Sequence, residues 1–244
     1  MGETAYARSL PRYLQISEML IRDITAGRLV DGQRLPPERQ MAQELGVSVG
    51  TLRKALEGMA EQGLLERVQG SGNYIRVREA VESVYAFFRL ESPTGAGLPS
   101  GEILSIERME KPDDLPPFGQ STDAHRVRRL REMDGEPVAL EEVWLDGVWA
   151  ERLKASQIVE SLHFFYKETL GLEIRSVEDR LGAREVPDWA PARFGVAPGD
   201  VSAFCERRST GHTGEVVEYG RFWFDSSKAN YVSRLKQASA RLEK

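Results

Sequence analysis

LPPERQMAQELGVSVGTLRKALEGMAEQGLLERVQGSGNYI, residues 35–75, is the stretch that decides the fold. Pro36-Pro37 opens a helix, because proline is tolerated in a first turn and not further in. Met41, Ala42 and Leu45 fall on one face of that helix, and Gly46 stops it. Ser48 is an N-cap for a second helix, in which Leu52, Ala55, Leu56 and Met59 form the inward stripe. Thr51, Arg53 and Lys54 stay on its outer side. Gly63 ends it, Leu64-Leu65 begins a strand, and Gln69-Gly70-Ser71-Gly72 is the tip of a hairpin. Upstream, Tyr13, Ile16, Met19, Leu20 and Ile24 make an amphipathic helix closed by Gly27, which caps the small core. Two short helices, a tight turn and a hairpin make a winged helix-turn-helix, which presents one helix to the DNA major groove. A compact helical domain without a DNA role is the plain alternative. The joint placement of serine cap, glycines and basic residues argues against it.

On these residues the segment from about 10 to 78 resembles the DNA-binding domain of GntR-family transcriptional regulators. The family's run of L-P-S-E-R, V-S-R-x-T-V-R-x-A-L, G-x-L and a G-x-G wing passes through it almost without a gap. The resemblance implies that Arg39 contacts the operator, that Ser48, Thr51, Arg53 and Lys54 serve the recognition helix, and that Gln69, Gly70 and Ser71 reach the minor groove. One departure stands out: Val49-Gly50 follows the capping serine, where the family usually has an arginine. An arginine–guanine pair is worth about 1–3 kcal/mol of discrimination, so the operator is expected to differ at that base.

The chain has 244 residues and a net charge of −5. Residues 1–78 hold 11 Lys and Arg against 9 Asp and Glu, and the remainder holds 22 against 29. DNA affinity therefore has to come from a few placed cations, doubled in a dimer, and not from bulk charge. The length suits two domains. We expect a winged helix-turn-helix over 1–78, a linker over 79–100 and a second domain over 101–244. The single cysteine, Cys205, excludes an internal disulfide and fits a reducing cytoplasm. No signal pattern and no apolar run of about 20 residues is present, so no membrane partner is expected. The three histidines are scattered, which argues against a metal site, and no cofactor is expected.

Beyond the linker the pattern predicts strands over 103–109, 125–133, 138–145, 173–184, 202–209 and 215–224. It predicts helices over about 156–170, ended by Gly171, and over 188–194 and 226–237. Asp134-Gly135-Glu136-Pro137 is a hairpin turn. Short turns between neighbours argue for an antiparallel sheet with helices on one face, an α+β architecture. Trp144, Trp149, Trp189 and Trp223 suit core or interface positions better than stacking platforms.

Three of these strands carry charge where alternation points inward. Val127, Arg129, Arg131 and Met133 share a face, as do Ala139, Glu141, Val143 and Leu145. So do Val216, Glu218, Phe222 and Phe224, with Gly220 between them. Such charges are expensive unless paired or bound to something. Arginine–glutamate ion pairs inside the domain satisfy the cost; so does a pocket whose arginines grip an anion while a glutamate orients hydroxyl or amino groups. The two readings can coexist.

Residues 80–240 are similar, more loosely, to the ligand-sensing UTRA domain of the HutC subfamily of GntR regulators, whose fold is that of chorismate lyase. The residues that carry the likeness are R-L-R at 129–131, D-G-E-P-V-A-L-E at 134–141, S-L-x-x-x-Y-K-E-T-L-G from Ser161, and V-V-E-Y at 216–219. The resemblance implies an effector site lined by Arg129, Arg131, Glu141, Ser161 and Glu218. His163 and Phe224 stand where relatives often have hydroxylated aromatics. Arg89 is a further candidate cation. The expected function is a homodimeric, ligand-responsive repressor, released from palindromic double-stranded operator DNA by a small anionic metabolite. An enzyme that retains chorismate lyase chemistry, and an architectural DNA binder whose second domain only dimerises, are the alternatives.

Overall fold

The computed structural model describes residues 5–6, 9–77, 83–93, 95 and 97–234. After a two-residue strand β1 (Ala5–Tyr6) come helices α1 (Arg12–Thr25), α2 (Glu38–Glu44) and α3 (Val49–Glu61), then the hairpin β2 (Leu65–Val68) and β3 (Gly72–Ile75). Leu52, Leu56, Met59 and Ile75 are wholly buried where the three helices meet the hairpin. Truncating any of them to alanine costs about 2–5 kcal/mol. The Ser48 hydroxyl accepts the Thr51 N–H at 3.1 Å and so caps α3. Gly46 and Gly63, at φ +62° and +70°, close the turns that follow α2 and α3. This is the winged helix-turn-helix expected from the sequence. Helix α1 buries more than its apolar stripe: Glu18 and Arg22 are buried too, on a side that leaves the small core.

The rest of the chain supplies β4 (Leu90–Glu91), β5 (Pro99–Glu110), β6 (Asp123–Met133), β7 (Glu136–Asp146), α4 (Leu162–Phe165), β8 (Ile174–Glu185), β9 (Val201–Gly211), β10 (Val216–Phe224) and β11 (Asn230–Tyr231). Seven strands form one antiparallel sheet in the order β1-β5-β6-β7-β10-β9-β8, and β4 pairs with β11 beside it. Strand β1 joins at the far edge, Ala5 opposite Ile103. All six expected strands are present, within a few residues at their ends.

The helices differ more. The segment 156–170 does not begin as a helix: a 3-10 turn covers Ala155–Gln157, Ser161 caps α4, and a π-turn over Tyr166–Leu170 runs to Gly171. Two physical reasons are visible. Ser161 gives its oxygen to the Phe164 N–H, and the Glu160 carbonyl is already taken by two arginine side chains. Of 188–194 only a 3-10 turn, Ala192–Phe194, forms, after Pro191. The segment 226–237 is not a helix where it is described. Asp225 accepts from Ser227 and makes a turn, and β11 follows. Residues 235–237 lie outside the described residues.

Both faces of the sheet are covered. Val127, Val143, Leu145 and Ile103 pack against α4 and its π-turn on one face. Leu130, Leu140, Phe204 and Trp223 pack against Val186, Phe194 and Trp189 on the other. Aromatic residues at the outward-alternating positions Trp144 and Trp223 require that second cover, which loops supply.

Candidate functional site

Two sites merit attention: the outer face of α3 with the wing, and a cavity in the sheet domain. On the first, Glu38 at the start of α2 is a hub. Its carboxylate accepts from Arg53 Nε at 2.7 Å, Arg67 Nη2 at 3.5 Å and Asn73 Nδ2 at 3.4 Å. The hydrogen bond from Arg53 holds this carboxyl below its ordinary range. Arg39, Arg53, Lys54, Gln69 and Gly70 are exposed, and Thr51 and Ser71 are half-buried. Lys54 turns back over the Tyr13 ring, 4.0 Å from its centroid, and so braces α3 against α1. Arg34, which the sequence reading passed over, donates to the Ser71 carbonyl beneath the wing. A side chain at Gly72 would meet that guanidinium at 3.1 Å. Val49 and Gly50 leave the first turn of α3 without a charged side chain.

The second site lies between the sheet and the segment 84–88. Its cavity volume is about 50 Å³, with Arg129, Arg131, Glu141, Glu160, Arg207 and Glu218 among its walls. Arg129 and Arg131 come from β6, and both donate to the Glu160 carbonyl, at 3.0 and 2.6 Å. Glu141 on β7 stands 2.5 Å from Arg129 Nη2 and 3.7 Å from Arg131 Nε. Arg131 also lies over the Phe88 ring, 5.0 Å from its centroid. Burial lowers the affinity of the Arg131 guanidinium for its proton, against the pull of Glu141. The expected ion pairs are therefore present, and the cavity is present with them.

The pairing is incomplete. Nε of Arg129 and of Arg131 and Oε2 of Glu141 are buried and have no well-aligned hydrogen-bond partner, while the buried Tyr166 hydroxyl interacts with Glu218. Such groups are costly to leave unmet. Glu218 on β10 pairs with His163 Nε2 at 3.1 Å and with Ser209 Oγ at 2.7 Å, not with an arginine. Burial alone would raise its carboxyl, but the charge of His163 and these hydrogen bonds outweigh it and hold it at about 2. Ser161 is at the wall, yet its hydroxyl is occupied: it donates to the Val84 carbonyl at 2.7 Å and caps α4.

A second lobe of about 40 Å³ adjoins the first across Phe88, Arg131 and Phe222, and it is lined by Arg89, Cys205 and Phe224 among others. Burial pushes the Cys205 thiol up to about 12, which keeps it a thiol and not a nucleophile. Among the described residues no group of three or more His, Cys, Asp or Glu stands close enough to hold a metal ion.

The roof of the cavity is tied to the winged helix. Glu18 of α1 accepts from Ser83 Oγ at 2.6 Å and from the Val84 N–H at 3.1 Å. Arg22 donates to the carbonyls of Phe88 and Leu90, the latter at 2.7 Å. The Leu10 N–H reaches Glu160 Oε2 at 3.3 Å.

Comparison with known proteins agrees with this division. The sequence model described as "Bacterial regulatory proteins, gntR family" matches residues 12–75, and that of the UTRA domain matches residues 96–230. The chain is 51% identical over 228 residues to the HTH-type transcriptional regulator SmoD of Agrobacterium fabrum, covering 93% of this chain and 97% of that one. The chain belongs to the GntR family. Its UTRA domain places it in the HutC subfamily.

Two further likenesses of this GntR regulator span almost the whole chain. It is 29% identical over 239 residues to the mannosyl-D-glycerate transport/metabolism system repressor MngR of Escherichia coli, covering 95% of this chain and 98% of that one. Its fold resembles that of YydK from Bacillus subtilis, with a TM-score of 0.52 at 18% identity, over 93% of this chain and all of that one. As a HutC regulator it binds DNA through the winged helix and an effector through the UTRA domain.

The structure brings together all five residues that the resemblance assigned to an effector. It adds Arg207, Glu160, Tyr85 and His163. Arg207 is held by Asp179 through two hydrogen bonds, at 2.6 and 2.7 Å. The signal for Arg207 was available: Cys205, Arg207 and Ser209 alternate inward on β9 as Arg129 and Arg131 do on β6. The Glu160 carbonyl, a backbone group, left no mark in the pattern.

Proposed function

We propose that the protein is a homodimeric cytoplasmic repressor, released from a palindromic operator by a small anion that also carries hydroxyl groups. The observation that carries this reading is the pair of buried arginines whose Nε–H groups have no hydrogen-bond partner, in a cavity that also holds Glu141 beside them and Glu218. A guanidinium pair suits an anionic group, and carboxylates suit hydroxyl donors. Both kinds of group in one cavity support a ligand that carries an anionic group together with hydroxyls. The name of MngR, a repressor of a system for an anionic glycoside, supports both the sense of regulation and the ligand class.

Arg39, Ser48, Thr51, Arg53 and Lys54, with Gln69, Gly70 and Ser71 of the wing, serve DNA in this reading. Arg53 reads a base edge and the wing tip lies along the adjacent minor groove. A homodimer sets two such units one helical turn apart. Effector in the cavity moves the segment 84–88, and with it α1. Titration of labelled operator with the protein, in the presence of a panel of hydroxylated carboxylates and phosphates, tests this. One ligand that binds the isolated protein and weakens operator binding is expected. Unchanged operator affinity under every ligand that binds would overturn the reading.

A further inference from the structure

Glu218 lines the cavity, but its carboxylate is already engaged. Oε1 accepts from His163 Nε2 at 3.1 Å and from Ser209 Oγ at 2.7 Å, and the Tyr166 hydroxyl interacts with the same group. The side chain is 2% exposed, whereas that of His163, in the same cavity wall, is 22% exposed. A buried carboxylate fixed by three neighbours is an anchor for the imidazole. With an acceptor on Nε2, that nitrogen carries the hydrogen, and Nδ1 is the ring atom left over. Among the described residues Nδ1 has no hydrogen-bond partner. The ring also packs edge-on against Phe87 of the roof, centroids 5.6 Å apart, and lies 5.9 Å from the Tyr166 ring.

The charge in the walls shows what this nitrogen is for. Arg129 and Arg131 on β6 and Arg207 on β9 face Glu141 on β7, Glu160 ahead of α4 and Glu218 on β10. Asp179 neutralises Arg207 from β8. Carboxylates therefore outnumber guanidiniums before any ligand enters, and Arg89 stands in the adjoining lobe. A buried anion without a compensating cation is costly. Among the lining side chains, His163 is the one whose type gains a positive charge near neutral pH.

We propose that His163 is the effector-selecting residue of this cavity: held by Glu218 through Nε2, it presents Nδ1 to the anionic group of the ligand and takes up a proton as that group binds. The proton comes from solvent, bonds to Nδ1 and returns when the ligand leaves. Glu218 is then a positioning residue, acting through the imidazole and not on the ligand. The assignment rests on the anionic-effector reading above and sharpens it. The Nε–H groups of Arg129 and Arg131 give the anion direction, His163 gives it charge, and Glu141 remains the carboxylate open to a hydroxyl. His163 stands where relatives often have a hydroxylated aromatic, so this mode of selection belongs to the present chain.

The full-length protein, with nitrogen-15 in its histidine rings, tests this by magnetic resonance, His163→Gln assigning the signals. Glycerate and gluconate are the probes, because their carboxylates do not titrate near neutral pH; glycerol and sorbitol are their uncharged counterparts. Without a probe, His163 should show the Nε2–H tautomer. A bound probe should protonate Nδ1, and calorimetry in buffers of different ionisation heat should register proton uptake. His163→Gln should abolish that uptake and weaken probe binding about tenfold, the scale of one hydrogen bond to a charged group. Glu218→Asp keeps the charge and shortens the reach. It should weaken binding in the wild type and leave it unchanged in the His163→Gln background. An equal loss in both backgrounds would place Glu218 on the ligand and overturn its positioning role. Probe binding without proton uptake, or with the His163 nitrogens unmoved, overturns the assignment and leaves the anionic effector standing. Wild-type protein that binds neither probe nor inorganic phosphate at tens of millimolar overturns both.

Discussion

The Glu18 carboxylate accepts the backbone N–H of Val84, 66 residues away, while the carbonyl of Val84 accepts from Ser161. The backbone of one residue is therefore held at its N–H by the winged helix and at its carbonyl by the cap of the helix that walls the cavity. Burial raises the Glu18 carboxyl, against the hydrogen bonds from Ser83 and Val84, so the contact is made at some cost. Coupling free energies between sites are typically about 1–3 kcal/mol, the scale of one or two such bonds.

Loss of that tie should uncouple the domains without disabling either. Glu18→Ala is expected to bind effector and operator separately with affinities near those of the wild type. The change in operator affinity caused by saturating effector should shrink several-fold, read by fluorescence anisotropy. An undiminished response would show that the domains communicate by another route.

The arginine fork is a second handle. Arg131→Lys keeps the charge and loses the planar pair of donors. Effector affinity should fall roughly ten- to a hundredfold, about 1.4–2.8 kcal/mol, by calorimetry. Operator affinity in the absence of effector should stay the same.

Acid should weaken the sheet domain through Glu218. Its carboxyl lies at 4.5 in an unfolded chain and is held at about 2 in the folded one. A depressed carboxyl contributes stability that is complete above the unfolded value and is lost as pH falls toward the folded one. Tm is therefore expected to drop between pH 4.5 and about 2. Glu218→Gln should show a flatter profile over that window, and parallel profiles would remove Glu218 from the account.

On the DNA side, Arg53→Ala should lower operator affinity by about 1–3 kcal/mol and relax preference at one base pair, with the melting of the sheet domain unchanged. Gel shifts on wild-type and singly substituted operators measure both. Equal occupancy by the variant and the wild type would show that α3 does not read through this residue.

The winged helix was legible because its signals are local. A cap at Ser48, stops at Gly46 and Gly63, and a period of 3.6 each act within a few residues. The sheet was legible for a similar reason: alternation exposed Arg129, Arg131, Glu141 and Glu218 as charges on an inward face. What failed was helix content after Ile158. There, long-range demands decided the backbone: Arg129 and Arg131 claim the Glu160 carbonyl, and Asp225 claims the turn at Ser227. The docking of 83–90 was illegible too. An apolar run such as Val84–Phe88 does not disclose that Tyr85 and Phe88 face a cavity while the main chain between them is bonded to α1.

The Glu38 hub bears on how such a protein searches a chromosome. Two of the cations on its reading face already share a carboxylate, so random duplex offers them little that they lack, and loose electrostatic adhesion is expected to be weak. Only a sequence whose base edges draw Arg53 out of that arrangement gains the full attraction. The search is then expected to rely more on three-dimensional collisions than on long sliding runs, with low occupancy of arbitrary sites.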